Sequence, residues 1–145
     1  MKRNLFTIAS VLAMAAMVVW ALPAQSVLAQ KAIEKSGYET KGKKLFTQYC
    51  ASCHGMDAKG QGTVAITLKA GPPDLTLLQA AGEKFPFYAV QTKIDGEKAA
   101  TAHGTNRMPV WGTVLRRTRG ELQKESEIYS LVRYIESIQV NRTSP

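Results

Sequence analysis

Residues 42–55, "GKKLFTQYCASCHG", carry the most specific pattern of this 145-residue chain. They contain both of its cysteines, Cys50 and Cys53, as a single Cys-x-x-Cys pair that His54 follows at once. The side chains that precede the pair and recur at helical spacing are Leu45, Phe46 and Tyr49. The pair is therefore expected at the C-terminal end of an amphipathic helix.

Cysteine pairs at this spacing serve several chemistries. A redox-active dithiol is expected at the start of a helix that follows a strand, within a βαβ pattern, and strand patterns are missing here. A structural zinc site needs four ligands, and beyond the motif only His103 and scattered carboxylates remain, none of them at finger-like spacing. A disulfide between residues three apart would close a very small loop and add little stability.

A covalently attached haem uses all three residues of the motif. Cys-x-x-Cys-His is the attachment pattern of c-type haem. Cys50 and Cys53 would add to the two porphyrin vinyl groups as thioethers, and His54 would ligate the iron through its imidazole. The motif predicts one haem c.

The second axial ligand of the iron has two candidates. Met108 lies in the segment "RMPVWG" of residues 107–112, a loop bounded by proline and glycine, and a thioether is a soft ligand that raises the potential relative to a second histidine. His103, in "TAHGTNRMP", is the alternative ligand or a polar loop residue. Met56 follows His54 too closely to reach the opposite face of a haem. We expect Met108 to be the ligand.

The N-terminus has the layout of an export signal. Lys2 and Arg3 precede an apolar run over residues 5–22, and Ala29 ends a small-residue cleavage site. The sequence predicts a signal peptide over residues 1–29 and a mature domain over residues 30–145, and hence a periplasmic protein. The alternative is an uncleaved membrane anchor, since the apolar run is near the lower length limit of a membrane-spanning helix.

The charge balance is basic. The whole chain carries a formal +8, and residues 30–145 carry +6 because Lys2 and Arg3 are the only charged residues before them. This excess favours an acidic protein surface as partner, although a merely solvated face explains it equally well. Nucleic acid is disfavoured, because the chain is expected to be exported and has no recognisable nucleic-acid-binding motif.

The remaining patterns are helical. Ser36 and Glu39 have the spacing of a capping box, which predicts the start of the helix that ends near Cys50. Three further helices are expected, over about residues 75–81 after an Asp74 cap, over 87–95 with a stop at Gly96, and over 121–139. The apolar stripes of the last two consist of Phe87, Val90 and Ile94, and of Ile128, Leu131, Val132, Ile135 and Ile138. The residues between the helices are interpreted as loops. The basic run "LRRTRGELQKE" of residues 115–125, which extends into the start of the last helix, is interpreted as a solvated loop, with a partner-docking patch as the alternative.

Four segments together resemble a bacterial class I c-type cytochrome with one haem: "GKKLFTQYCASCHG", "GPPDLT", "MPVWG" and "LVRYIESI". The resemblance covers nearly the whole mature chain. It implies an all-α class I cytochrome c fold, with about four to five helices and long loops around the haem. It also implies that Gly42 and Phe46 meet Tyr134 where the first and last helices cross, and that the carbonyl of Pro72 or Pro73 accepts a hydrogen bond from the other ring nitrogen of His54.

A cytochrome of this class is an electron-transfer protein and not an enzyme. The resemblance implies a carrier of single electrons between respiratory partners, an electron donor and a terminal oxidase or reductase. One alternative is a haem-bearing subunit or membrane-anchored domain of a larger respiratory oxidoreductase, with membrane contact only if the N-terminal segment is retained. A haem enzyme or gas sensor would require Met108 to be absent from the iron.

Overall fold

The structure, a computed structural model, describes the backbone of residues 3–68, 71–96 and 108–140, with side chains from residue 26 onward. This part of the chain contains five α-helices, two short 3-10 helices and no strand. The expected all-α fold is confirmed. The elements are α1 Arg3–Tyr49, α2 Ala51–His54, 3-10 helices Ala65–Thr67 and Leu75–Leu77, α3 Phe87–Asp95, α4 Trp111–Arg119 and α5 Glu121–Ser137.

The chain forms two compact units, residues 1–36 and 37–145. The first unit is helical from Arg3, and its residues 26–36 are exposed to solvent. The side chains of residues 1–25 lie outside the described part, so the signal peptide or anchor over residues 1–29 stays a prediction. A search of the described residues finds no helix that combines the length and the apolar character needed to cross a membrane.

Helix α1 is longer than predicted. Ser36 was expected to cap its first turn, but the helix begins at Arg3 and Ser36 lies in its interior. The stretch before Ser36, "LAQKAIEK" over residues 28–35, consists largely of strong helix formers, which continue a helix without needing a cap. The capping-box expectation is therefore wrong, although packing against the rest of the second unit does begin close by, at Tyr38, whose ring meets that of Tyr129.

Helices α1 and α5 cross at Gly42. A Cβ atom at this position would overlap the backbone carbonyl of Ser130 and lie 2.7 Å from Cβ of Tyr134. One turn later, the rings of Phe46 and Tyr134 pack with their centroids 5.3 Å apart. The crossing that the resemblance implied is present. It requires glycine, because only a residue without a side chain lets the two backbones approach this closely.

The core lies behind this crossing. Its apolar residues come from α1, α3, α4 and α5, and those less than 5 % exposed include Phe46, Leu115, Ile128, Leu131, Val132 and Ile135. Four of them, Ile128, Leu131, Val132 and Ile135, form the expected stripe of α5. Burial of this stripe supplies most of the stability of a helix of this length.

Helix α3 follows its prediction closely. It runs from Phe87 to Asp95, immediately after Pro86, and ends at Gly96, which has the left-handed φ of +71° typical of a helix C-terminus. Ile94 is buried, and Phe87 and Val90 pack against the same core.

Two other segments differ from their predictions. The basic run after Met108 was interpreted as loop, but Trp111–Arg119 is helical, with Leu115 buried and Arg116, Arg117 and Arg119 in its last turn. The cations suit the negative end of the helix dipole. The helix expected over residues 75–81 is a single 3-10 turn, Leu75–Leu77, although Asp74 does cap it by accepting from the Thr76 amide.

Candidate functional site

The cysteine motif forms one tight turn of helix directly after α1. Cys50 donates its amide to the Phe46 carbonyl at 2.9 Å, and its own carbonyl accepts from the amides of Cys53 at 3.1 Å and His54 at 2.9 Å. The two cysteines are thus three residues apart on helical backbone, and side chains at this spacing lie on the same face. The turn presents both sulfur atoms to one side.

Both thiols are free, and burial acts on the buried one, Cys50. Burial, followed by the neighbouring Cys53, raises the pKa of Cys50 to about 12. Redox-active and metal-binding cysteines have lowered pKa values, because the thiolate is the reactive form. The described residues also contain no group of three or more His, Cys, Asp or Glu side chains placed to hold a metal ion.

His54 ends α2 and is 9 % exposed. Burial lowers its pKa, because a neutral imidazole is easier to desolvate than an imidazolium, and the carbonyl of Pro73 acts in the opposite direction. The Nδ1 atom of His54 is buried and has no partner at full hydrogen-bond geometry. Of the two prolines considered from the sequence, Pro73 is the one whose carbonyl acts on the pKa of the ring.

The motif is held from behind by main-chain hydrogen bonds. The carbonyls of Ser52, Cys53 and His54 accept from the amides of Val64, Gly62 and Gly60 at 2.9, 3.0 and 2.7 Å. A Cβ atom at Gly62 would overlap the Ser52 carbonyl and lie 2.6 Å from the carbonyl carbon of Cys53. The glycine-rich loop is therefore a backing layer for the motif, which explains its length.

The segment after the prolines is tied to the same layer. The amide of Leu75 donates to the carbonyl of Ala58 at 2.8 Å. Ala58 is fully buried and has a φ of +63°, an uncommon conformation for a residue with a side chain. Gly60 lies so close to Pro72 that a Cβ atom there would overlap the Pro72 carbonyl. These contacts place residues 72–75 beside His54.

Met108 lies on a separate support. It is half-buried and packs against the core. Three residues later, the Trp111 ring packs on that of Tyr49, the residue before Cys50, with centroids 5.3 Å apart. Gly96 at the end of α3 packs on Val110, where an added Cβ would lie 3.4 Å from its backbone. The segment that follows Met108 is thus fixed against both the end of α1 and the end of α3.

The start of α4 is fixed by charged residues as well. The carboxylate of Asp95 lies against the Cα atom of Gly112, where a Cβ atom would overlap it. Lys124 on α5, with only 8 % of its side chain exposed, pairs with Glu121 at 2.5 Å and approaches Asp95 at 4.0 Å. Asp95 and Lys124 were not predicted from the sequence, because a single acidic residue and a single basic residue 29 positions apart form no recognisable pattern.

The residues predicted for the site therefore fall into two groups. Cys50, Cys53 and His54 share one turn. Met108 lies on the segment whose Trp111 ring packs against Tyr49, the residue before that turn. His103 lies outside the described residues, so its role stays a prediction. Gln139 was also missed: this buried side chain links the end of α5 to residues 75–79, and nothing in its sequence context marks it.

The donor set fits a covalently bound haem c. Two free thiols on one face of a helical turn can form two thioethers, and the adjacent buried imidazole can use Nε2 for iron while the unpaired Nδ1 stays available to a carbonyl. A thioether is available from Met108. A cofactor of the same size that is not bound covalently would leave the presence of both cysteines in the turn before His54 unexplained.

Comparison with known proteins gives one match. A family model described as cytochrome c matches residues 39–139, which is more than half of the chain and falls within the second compact unit. Curated proteins and solved structures yield no significant match. The matched range contains the cysteine motif, Met108 and Gln139.

Proposed function

The chain belongs to the cytochrome c family, and from this premise we propose that it carries single electrons between redox proteins through one haem c. The observation that carries the proposal is the turn Cys50–His54, where two free thiols three residues apart and the buried imidazole that follows them share one turn of helical backbone. An all-α fold around this turn supports it.

Four residues would hold the haem. Cys50 and Cys53 would bind it through thioethers, and His54 and Met108 would ligate the iron. The haem supplies reversible one-electron chemistry between Fe(III) and Fe(II). The chain's own residues position His54, exclude water on the side of the buried core, and keep Met108 on a segment that is braced by Trp111. If His54 and Met108 both ligate the iron, no open position would remain for a substrate, which would favour electron transfer over catalysis.

The partners we propose are acidic redox proteins of a respiratory chain. Helix α4 begins three residues after Met108 and ends with Arg116, Arg117 and Arg119, whose side chains are exposed. A positive surface close to the Met108 segment would orient a fast, weak complex with an acidic donor or acceptor. Export to the periplasm, with cleavage after Ala29, is part of this proposal.

The experiment that tests the ligands is an absorption spectrum of the oxidised and reduced protein, extended to the weak near-infrared band of a sulfur–Fe(III) bond. We expect this band in the wild type and its loss in Met108→Ala. Met56→Ala is the matched control, because Met56 is 66 % exposed and adjoins the motif. It should leave the band unchanged. His103→Ala should also leave it unchanged.

Two outcomes would contradict the proposal. A wild type without the band, whose reduced form binds carbon monoxide freely, would indicate an open site or ligation by His103, and a sensor or enzyme would replace the carrier. A protein from which acidified organic solvent extracts all haem would rule out the two thioethers. The mass of the intact protein decides the remaining alternative, since a retained N-terminal segment would favour an anchored domain or subunit of a larger oxidoreductase.

A further inference from the structure

Gln139 follows α5 and is the most fully bonded buried amide side chain in the described residues. It is 5 % exposed. Its Oε1 atom accepts from the backbone amide of Gln79 at 2.9 Å. Its Nε2 group donates to the backbone carbonyl of Leu75 at 2.7 Å and to that of Ile135 at 2.8 Å. The bonds to Gln79 and Leu75 join segments 60 and 64 residues apart in the chain, and the bond to Ile135 lies within the end of α5.

The two groups that Gln139 binds on the loop would otherwise bind each other. In an α-helix the amide of Gln79 would donate to the carbonyl of Leu75, four residues earlier. Here the side-chain amide of Gln139 is inserted between them and satisfies both. This explains why the helix expected over residues 75–81 stops after the turn Leu75–Leu77. We refer to these bonds, together with the 3.0 Å bond from the Val140 amide to the Thr76 carbonyl, as the Gln139 clasp.

The clasped loop is the one that brings a carbonyl to His54. Pro73 lies two residues before Leu75, and its carbonyl oxygen lies 3.4 Å from the position of an added Cβ atom at Gly60. Leu75 is held from the other side by its bond to Ala58, and Pro72 packs closely on Gly60, which itself bonds to the His54 carbonyl. The backbone of residues 72–75 therefore has two supports, the glycine-rich loop and the end of α5.

We propose that Gln139 is a positioning residue, which sets the distance between the Pro73 carbonyl and the His54 imidazole by holding the loop of residues 75–79 in a non-helical path. The inference rests on the proposed function, because that distance matters for the potential only if His54 ligates iron. A hydrogen bond to the outer nitrogen of a ligating imidazole makes it a stronger donor, which stabilises the oxidised metal. The end of α5 thus tunes an axial ligand that it does not touch.

The test uses the full-length haem-loaded protein and the variants Gln139→Ala and Gln139→Met. Methionine keeps most of the volume but neither donates nor accepts the three bonds, so it separates bonding from packing. In both variants we expect the Gln79 amide to exchange with solvent about tenfold faster, because one bond of this kind contributes up to about 1.5 kcal/mol. A short helix that re-forms over residues 75–81 would not protect it, since isolated helices of that length are marginal.

The second readout is the midpoint potential, which a purely structural role would not move. We expect it to rise in Gln139→Ala and Gln139→Met, as the carbonyl withdraws from His54. Gln79→Ala is the matched control, because it removes the side-chain bond from Gln79 to the Glu83 carbonyl at 2.7 Å and leaves the backbone amide bonded to Gln139. It should leave the potential unchanged.

Three results would overturn the inference: unchanged exchange at Gln79, a potential that stays constant or falls in the Gln139 variants, or an equal shift in Gln79→Ala. Failure of the proposed function is visible separately. It would appear in the wild-type absorption spectrum as missing haem or a missing sulfur–iron band, while exchange at Gln79 would still report whether the clasp holds the loop.

Discussion

The two sides of the proposed haem site are held by different forces. On the His54 side, the motif and the loop behind it are joined by main-chain hydrogen bonds, from Gly60, Gly62 and Val64. On the Met108 side, most contacts involve side chains, among them the Trp111 and Tyr49 rings, the charged residue Lys124 and the Asp95 carboxylate that lies against Gly112.

This difference has a physical consequence. Segments joined by main-chain hydrogen bonds tolerate changes of side-chain chemistry, but not an added atom where two backbones are in close contact. Segments held by packed side chains are instead sensitive to truncation of those side chains. The His54 side should therefore be broken by an added atom at Gly62, and the Met108 side by removal of aromatic or charged groups as well as by an added atom at Gly112. The predictions below test this distinction, beginning with the largest effect.

Gly62→Ala should be the most damaging single change. The added methyl group would overlap the Ser52 carbonyl and press on Cys53, and both contacts are backbone atoms that cannot rotate away. We expect a loss of at least about 3 kcal/mol in the free energy of unfolding, measured by urea titration, together with a lower yield of haem-bound protein.

Gly71→Ala is the matched control, because the nearest atom to an added Cβ there is 4.0 Å away. It should change stability by less than about 0.5 kcal/mol. Equal stability of the two variants would show that main-chain packing does not hold the His54 side.

Trp111→Ala should have the next largest effect, on the other side of the site. Truncation of a large core aromatic costs about 3–5 kcal/mol, and Trp111 is only half-buried, so we expect about 2 kcal/mol. The near-infrared band should weaken, because the segment that carries Met108 loses its contact with Tyr49. Trp111→Phe retains a ring and should keep both the band and most of the stability. A full-strength band in Trp111→Ala would show that the ring does not brace Met108.

The sequence was informative where a local pattern determines the structure. The stripes of α3 and α5, the Asp74 cap and the stop at Gly96 follow from residues within one or two turns of each other. The motif Cys50–His54 is equally local, since its residues are adjacent in the chain.

Structure that depends on distant residues was missed. The turn after Asp74 ends early because Gln139, 60 or more positions away, takes the bonds that would continue it. Helix α4 was interpreted as loop because its short apolar side consists of Trp111 and Leu115, with glycine between them, and its three arginines dominate the pattern. Its position also depends on Asp95 and Lys124, which no spacing rule connects.

Lys124→Met should produce a smaller loss on the Met108 side. The lysine ammonium group is buried between α3 and α5, but Glu121 is half-exposed and can be rehydrated when its partner is removed. We therefore expect a loss of about 1–2 kcal/mol, between the values for surface and buried pairs. The comparison is Arg133→Met, which removes a pair to Glu136 at the same i,i+3 spacing on α5. Thermal unfolding should show the larger loss for Lys124→Met; the reverse order would assign Lys124 no role in joining the helices.

The smallest effect concerns the pKa of Asp74, on the His54 side. The side chain and then the backbone amide of Thr76 donate to its carboxylate and lower its pKa below the ordinary value near 4. A carboxyl group whose pKa is lowered by folding stabilises the folded state above the unfolded pKa, and this contribution disappears as pH falls through the folded pKa. Between about pH 4 and the folded pKa, the wild type should therefore lose melting temperature more steeply than Asp74→Asn, whose neutral amide still caps the turn.

Asp57→Asn is the control for that experiment, because it removes a carboxylate from the same side of the site while leaving the Thr76 contacts in place. Its melting curves should follow the wild type from pH 7 to the acid limit. If Asp74→Asn and the wild type fall in parallel, the Thr76 bonds do not couple Asp74 ionisation to folding, and the turn Leu75–Leu77 is held by the Gln139 clasp and the Ala58 carbonyl alone. If the melting temperature falls more steeply only in the wild type, the Asp74 carboxylate is a third, ionic support beside those two. The His54 side, although joined largely by main-chain bonds, then also depends on one side-chain charge.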